Sequence, residues 1–306
     1  MTDERGVVLR GTGGVWAVRT TEGETREASL RGRLKQDDMG VVKLAVGDAV
    51  RLAPDERGGG GWTIVEIMPR RSTLVRREPG GGPRKRVLVA NVDQVVVAFA
   101  AADPAPHLRA VDRFLVVAEA NALAARIVVN KIDRVDPAAV RAQFADYPRA
   151  GYPVHFVSVR TGVGLEEIRD ALTGRTSAIA GPSGVGKSSL LNALYPGLNL
   201  RVGAVSEAVH KGRHTTVGAL LHPLPDGGYV VDTPGLREVG VWGITARELA
   251  PCFPEFRPYI EQCRFADCTH RMEPECAVRG AVAAGAISRA RYESYAKLFE
   301  ELEAEG

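Results

Sequence analysis

Hydrophobic positions in the first 69 residues come in short runs rather than at helical spacing. Gly6–Arg10, Val15–Thr20, Arg26–Leu34, Asp48–Ala53 and Trp62–Met68 are rich in Val, Leu and Ile and are parted by Gly, Asp and Pro. Runs of this kind predict strands, and five of them in ~70 residues predict a small barrel. The OB-fold is the natural candidate, although an SH3-like barrel would show much the same pattern. Glu78-Pro79-Gly80-Gly81-Gly82-Pro83 can hold no regular element and marks a linker. Beyond it the runs are continuously apolar or nearly so: Val95–Phe99, Arg126–Val129, His155–Val157, Ala178–Ala180 and Tyr229–Val231. Strands buried on both faces need that composition. Helical stretches such as Ala110–Ala125 and Leu165–Leu172 lie between several of them, which predicts a parallel α/β sheet with right-handed crossovers. After about Gly243 the chain reads as helical. There Ile287, Ala290, Tyr295, Leu298 and Leu302 give the last helix one apolar face. The expected division is therefore a barrel at 1–69, a basic linker at 70–86, an α/β domain at 87–242 and a helical domain at 243–306.

Composition adds limits. The 306 residues are 45% hydrophobic and 25% charged, which excludes wholesale disorder, collagen and coiled coil. No apolar stretch approaches the roughly 18 residues of a membrane span. Met1-Thr2-Asp3-Glu4-Arg5 has no apolar segment behind it, so no secretory signal is expected and the protein is assigned to the cytoplasm. The net charge is only +3, but Arg70, Arg71, Arg76, Arg77, Arg84, Lys85 and Arg86 face Glu78 alone within 17 residues. Such a block favours a polyanion through phosphate neutralisation and counterion release, and OB-folds commonly carry RNA. Nothing demands an oligomer, so a monomer is expected.

Chemistry enters at Gly181-Pro182-Ser183-Gly184-Val185-Gly186-Lys187-Ser188, a full match to G-x-x-x-x-G-K-[ST], with Ser189 following. An apolar strand precedes it and a helix start follows it, as a phosphate-binding loop requires. Glycines let successive N–H groups converge on phosphate oxygens at the helix N-terminus. Lys187 would neutralise the β- and γ-phosphates, and the Ser188 hydroxyl would ligate Mg²⁺. Three segments narrow the nucleotide. Asp232-Thr233-Pro234-Gly235 ends a buried strand, where a carboxylate can hold Mg²⁺ and the Gly235 N–H can sense a γ-phosphate. Asn130-Lys131-Ile132-Asp133 matches the N-K-x-D guanine element. Its Asp133 can accept from guanine N1 and the 2-amino group, donors that adenine lacks. Ser158-Val159-Arg160 occupies the place of the S-A-K element that touches the base, with Val and Arg replacing Ala and Lys.

These elements run N-K-I-D, S-V-R, phosphate loop, D-T-P-G, whereas an ordinary GTPase begins with its phosphate loop. The order is that of a circular permutation, which the proximity of domain termini allows. It leaves the chain after Gly235 running straight into the C-terminal domain. With Asn91-Val92-Asp93-Gln94, Asp112-Arg113-Phe114-Leu115, Gly212-Arg213-His214-Thr215-Thr216 and Phe253-Pro254-Glu255-Phe256-Arg257, the chain resembles the ribosome small subunit-dependent GTPase A (RsgA) family of bacterial assembly factors over nearly its whole length. The resemblance implies an OB-fold barrel, a circularly permuted P-loop GTPase and a C-terminal zinc-binding helical domain. It also implies late maturation of the small ribosomal subunit, contact with its rRNA, and GTP hydrolysis stimulated by that subunit.

Two sites remain. Leu236 stands where many GTPases carry a water-orienting Gln, and a leucine cannot hold water by hydrogen bonding. His214 is the best substitute, because imidazole can position or deprotonate water; the family resemblance points to the same residue. Thr215 or Thr216 is expected on Mg²⁺, and the residues do not choose between them. Cys263-x4-Cys268-x-His270-x5-Cys276 supplies three thiolates and an imidazole within 14 residues, a donor set for one closed, structural Zn²⁺ site. Cys252 is set aside as a packed free thiol. The competing readings are a P-loop kinase or ATPase and a non-catalytic, nucleotide-switched RNA-binding protein.

Overall fold

Five strands open the chain: β1 Glu4–Thr12, β2 Val15–Thr20, β3 Thr25–Leu30, β4 Ala49–Pro54 and β5 Trp62–Ile67. The structure, a computed structural model, describes residues 3–31, 44–55, 61–77, 85–200, 219–232 and 244–305. The five strands close a barrel in the order β1-β2-β3-β5-β4, with β3 and β5 parallel and β1 and β4 antiparallel. This Greek-key closure distinguishes the OB-fold from the SH3-like alternative. Val8, Val18, Ala28, Val50, Leu52 and Ile64 fill the interior. The end of the expected third strand, 32–34, lies outside the described residues.

The segment expected as a linker is not one throughout. β6 Thr73–Arg77 and β7 Lys85–Ala90 pair antiparallel. Thr73-Leu74-Val75 and Val87-Leu88-Val89 mix β-branched residues with leucine on either side of a Gly/Pro stretch, the pattern of a hairpin. The Gly/Pro stretch itself, Glu78–Pro83, lies outside the described residues. Arg70 grips the wholly buried Asp48 with Nε and Nη2, at 2.6 and 2.8 Å. Arg71 pairs with Asp93 at 2.6 Å. Arg70 and Arg71, the cations of the basic block with described side chains, are thus both matched within the protein.

The chain forms two compact units. One comprises Met1–Asp93, Ala171–Ile179 and Ala204–Leu236. Alongside the barrel and hairpin it contains most of β11 Thr176–Ala180, with β12 Leu220–Pro223 and β13 Tyr229–Asp232. β11 and β13 are parallel, β12 and β13 antiparallel. The other unit comprises Gln94–Asp170, Ala180–Gly203 and Arg237–Gly306. In it β8 Gln94–Ala100, β9 Ala124–Asn130 and β10 Val154–Phe156 form a parallel run, with Ala98 opposite Val128 and Val154 opposite Ile127. Every residue of β8 is buried. Helices α1 Leu108–Ala120, α2 Pro137–Gln143 and α3 Asp146–Arg149 connect these strands, and α4 Leu165–Leu172 follows β10. α1 stops short of the expected Ala125. Ala122 turns left-handed at φ 52, and Ala122 and Leu123 donate back to Glu119 and Ala118, closing the helix. α5 Lys187–Leu194 begins within the G-x-x-x-x-G-K-S run, and the C-terminal part is helical as expected, with α6 Arg257–Ile260, α7 Ala277–Ala283 and α8 Arg289–Glu305. Leu249, Phe253, Phe256, Val278, Tyr295 and Leu298 make the tail's core, joined by Val116 of α1.

Candidate active site and metal centre

The phosphate loop leaves β11 at Gly181 and ends at Gly186, which begins α5 in the left-handed region at φ 94. Two glycines are dictated by what surrounds them. A Cβ on Gly181, at φ 132, would lie 2.1 Å from the Ala98 carbonyl oxygen of β8. One on Gly186 would lie 2.5 Å from Asn130 Nδ2. The loop thus approaches β8 and the end of β9 more closely than any side chain allows. Lys187 folds over its own loop, with Nζ donating to the carbonyls of Gly181 and Pro182 at 2.7 and 2.6 Å. Ser188 and Ser189 continue into the first turn of α5, and Ser183 is exposed at the loop's crest.

The guanine element reaches this loop directly. Asn130, the last residue of β9, is 4% exposed. Its Nδ2 donates to the Val185 carbonyl at 3.1 Å. Its Oδ1 accepts from the Lys131 N–H at 2.8 Å and from the Val159 N–H at 3.4 Å. One amide therefore ties together three segments that lie far apart in sequence. Lys131 is left-handed at φ 63 and extends Nζ to the Gly184 carbonyl at 2.8 Å and to the Asp103 carbonyl. The Ile132 N–H donates to Val157 at 3.3 Å. Asp133 Oδ1 accepts from the buried Ser158 hydroxyl at 2.6 Å, and Arg160 Nη1 stands 3.8 Å from Oδ2. The Ser158 hydrogen bond holds the Asp133 carboxyl below its ordinary range, with Arg160 and Arg134 adding to the effect. An ionised acceptor is what two guanine N–H donors require. Ser158 is itself fixed by the Thr161 N–H, which donates to Oγ at 3.2 Å.

Asp232 ends β13 in register with Ile179, two residues before Gly181. His214, Thr215, Thr216, Gly235 and Leu236 lie outside the described residues. Sequence reasoning missed Asp103, whose backbone carbonyl receives Lys131 and whose carboxylate receives Arg134 at 2.8 Å. An Asp-Pro pair just past a fully buried strand was the available signal.

Cys263, Cys268, His270 and Cys276 converge, with all four candidate ligand atoms within 4.8 Å of one another. His270 Nδ1 is 3.5 Å from both Cys263 Sγ and Cys276 Sγ, and those sulfurs are 3.9 Å apart. Tetrahedral zinc, with Zn–S about 2.3 Å and Zn–N about 2.0–2.1 Å, would set these separations near ~3.5 and ~3.8 Å. The donor set fits the ion in both chemistry and spacing. Burial lowers the His270 pKa and so favours the neutral imidazole that ligates. Glu273, unnoticed in the sequence, braces the ligand loop by accepting from Thr269 N and Oγ1 at 2.7 and 2.5 Å and from Arg271 N at 3.0 Å. Against the upward push of burial, these bonds hold its carboxyl down to about 2. Cys252 stands apart in the tail's core, its Sγ 3.3 Å from the Glu248 carbonyl.

Comparison with known proteins bears on the family and the fold. A family model described as RsgA GTPase matches residues 67–242. A relative from Gemmatimonas aurantiaca named Small ribosomal subunit biogenesis GTPase RsgA is 62% identical over 301 residues, covering 98% of each chain. The crystal structure of YjeQ from Thermotoga maritima superposes with a TM-score of 0.82 at 38% identity, covering 98% of this chain and 99% of that one. The structure of YloQ, described as a circularly permuted GTPase, gives 0.78 at 28% identity, covering 100% and 96%.

Proposed function

Since the chain belongs to the RsgA GTPase family, we propose that it serves the biogenesis of the small ribosomal subunit, with that subunit stimulating its turnover. The protein is a GTPase, converting GTP and water to GDP and phosphate. The observation that carries the site assignment is the Asn130 side chain, which spans Val185 of the phosphate loop and Val159 of the S-V-R segment. The three elements a guanine nucleotide needs are adjacent although the chain presents them in permuted order.

In this reading Asp133 reads the guanine edge, while Ser158, Val159 and Arg160 close over the base. Loop residues 181–186, except Pro182, which has no N–H, offer backbone N–H groups to the phosphates, and Lys187 neutralises their charge. Ser188, Asp232 and Thr215 or Thr216 hold Mg²⁺, which when bound offsets charge on the β- and γ-oxygens. The Gly235 N–H senses the γ-phosphate. His214 positions the attacking water that Leu236 cannot hold. Cys263, Cys268, His270 and Cys276 hold one structural Zn²⁺. The barrel at 1–69 and the remaining cations of 70–86 contact rRNA phosphates; the GTPase domain comprises 87–242 and the zinc-binding domain 243–306. None of the described helices is long and apolar enough to cross a membrane, and we place the protein in the cytoplasm as a monomer.

The test is GTP turnover measured with purified small subunits, with large subunits and with neither. Acceleration by small subunits alone supports the reading. Equal rates in all three arms, with ATP displacing GTP as readily as GDP does, would overturn it. His214→Ala should retain GDP affinity while losing most of the stimulated turnover. Full turnover in that variant removes His214 from the mechanism.

A further inference from the structure

Asp112-Arg113-Phe114-Leu115 and Phe253-Pro254-Glu255-Phe256-Arg257 have no part in the nucleotide chemistry above, yet the structure joins them. Arg291 of α8 sits between the two motifs. Its Nη1 donates to Asp112 Oδ1 at 2.5 Å, and its Nε and Nη2 donate to the two Glu255 oxygens at 2.7 and 3.2 Å. Arg291 is 3% exposed and Asp112 2%. The guanidinium carbon lies 4.6 Å from the centroid of the Phe253 ring. Around this hub Arg257 pairs with Glu119 at 2.5 Å, Arg113 pairs with Glu301, and the Ser288 hydroxyl donates to Asp146 at 2.5 Å. Phe114 meets Phe99 of β8 edge-on at 6.0 Å.

A buried ion pair of this kind gains little stability over well-packed apolar residues of the same volume, because desolvation offsets the attraction. What it supplies is direction: a planar fork donates to its two carboxylates in one arrangement. That arrangement bears on α1. The loop just before α1 carries Asp103, which receives Lys131 of the guanine element through its carbonyl and Arg134 through its carboxylate. Pro104 of the same loop stands 3.8 Å from where a Cβ on Gly184 would lie. The loop leading into α1 thus touches the base-recognition residues, and the fifth residue of α1, Asp112, touches the C-terminal domain.

We infer that Arg291 is a positioning residue for guanine-nucleotide binding: by fixing α1 through Asp112, it sets the Asp103 loop against Lys131 and makes the metal-bearing tail part of the frame of the base site. This rests on the guanine-nucleotide reading of that site. Coupling between sites is reciprocal, so GDP should in turn steady the tail.

The experiment is a double-mutant cycle in the full-length, zinc-loaded protein, using a fluorescent GDP analogue. Arg291→Lys keeps the charge and loses the fork. It should weaken GDP binding about fivefold or more, within the usual range of coupling between sites. In a Lys131→Ala background the same change should have a clearly smaller effect, since the contact of the Asp103 loop with Lys131 has been removed and only those with Arg134 and Gly184 remain. GDP should slow the transfer of zinc to a chelator in the wild type and fail to do so in Arg291→Lys. Should Arg291→Lys not fold, Asp112→Asn, which keeps an acceptor for Nη1, is read in the same cycle. Unchanged GDP affinity, or equal weakening in both backgrounds, overturns the inference, since equal weakening is what general loosening produces. A wild type that binds no GDP would instead bring down the nucleotide reading itself.

Discussion

Replacing Asn130 with Ala removes three hydrogen bonds at once: the one donated to Val185 and those accepted from Lys131 and Val159. The first two have good lengths, and the third, at 3.4 Å, is weak. A net of about 1 kcal/mol for each good bond, and a fraction of that for the third, gives ~2–3 kcal/mol. The site is buried, so water would not replace these partners cheaply. Because the bonds join loops that a guanine nucleotide also bridges, the loss should fall mainly on binding. It corresponds to GDP affinity ~30- to 150-fold weaker. Asn130→Asp sharpens the test. It retains the acceptor but turns a second carboxylate oxygen toward the Val185 carbonyl, so it should weaken binding at least as much as the alanine. Fluorescence titration with labelled GDP reads the affinity, and thermal unfolding of the free protein reads the fold. An alanine variant binding GDP within about threefold of wild type, with its unfolding temperature unchanged, would show that Asn130 does not hold the three segments together.

Other consequences are as direct. Ser158→Ala removes the bond that depresses Asp133; because a depressed carboxyl is charged above its pKa and loses its partners as pH falls through it, GDP binding should fail at a higher pH in the variant than in wild type. Coincident pH profiles would deny Ser158 that role. Gly181→Ala places a Cβ 2.1 Å from the Ala98 carbonyl at a φ that L residues rarely adopt, so it should abolish nucleotide binding and lower the unfolding temperature. A variant that binds normally would show that the loop can leave β8 at no cost. Removing zinc with a chelator should unfold the tail, since structural zinc in finger peptides contributes ~10–16 kcal/mol. The readout is loss of helical circular dichroism and of protection in 244–305, and full retention of both would make the ion incidental.

The residues alone determined whatever is local. Phosphate-loop glycines, an N-K-x-D run at the end of an apolar strand and three cysteines spaced around a histidine announce their chemistry within about fifteen residues, because turn angles, strand burial and chelation act over that range. The permuted order was legible for the same reason. The β6–β7 hairpin was hidden by the Gly/Pro stretch between its strands, whose composition reads as linker when its flanks are not weighed. The free charge of the basic block could not be read either, since Arg70 and Arg71 are matched by Asp48 and Asp93 more than twenty residues away in either direction. Only the tertiary structure decided that Asn130 meets Val185 across 55 residues and that Arg291 meets Asp112 across 179. Such pairs have no period or spacing to betray them. They exist because packing the sheet and the tail brings polar groups into places where water cannot serve them, and each must find its partner wherever the chain happens to return.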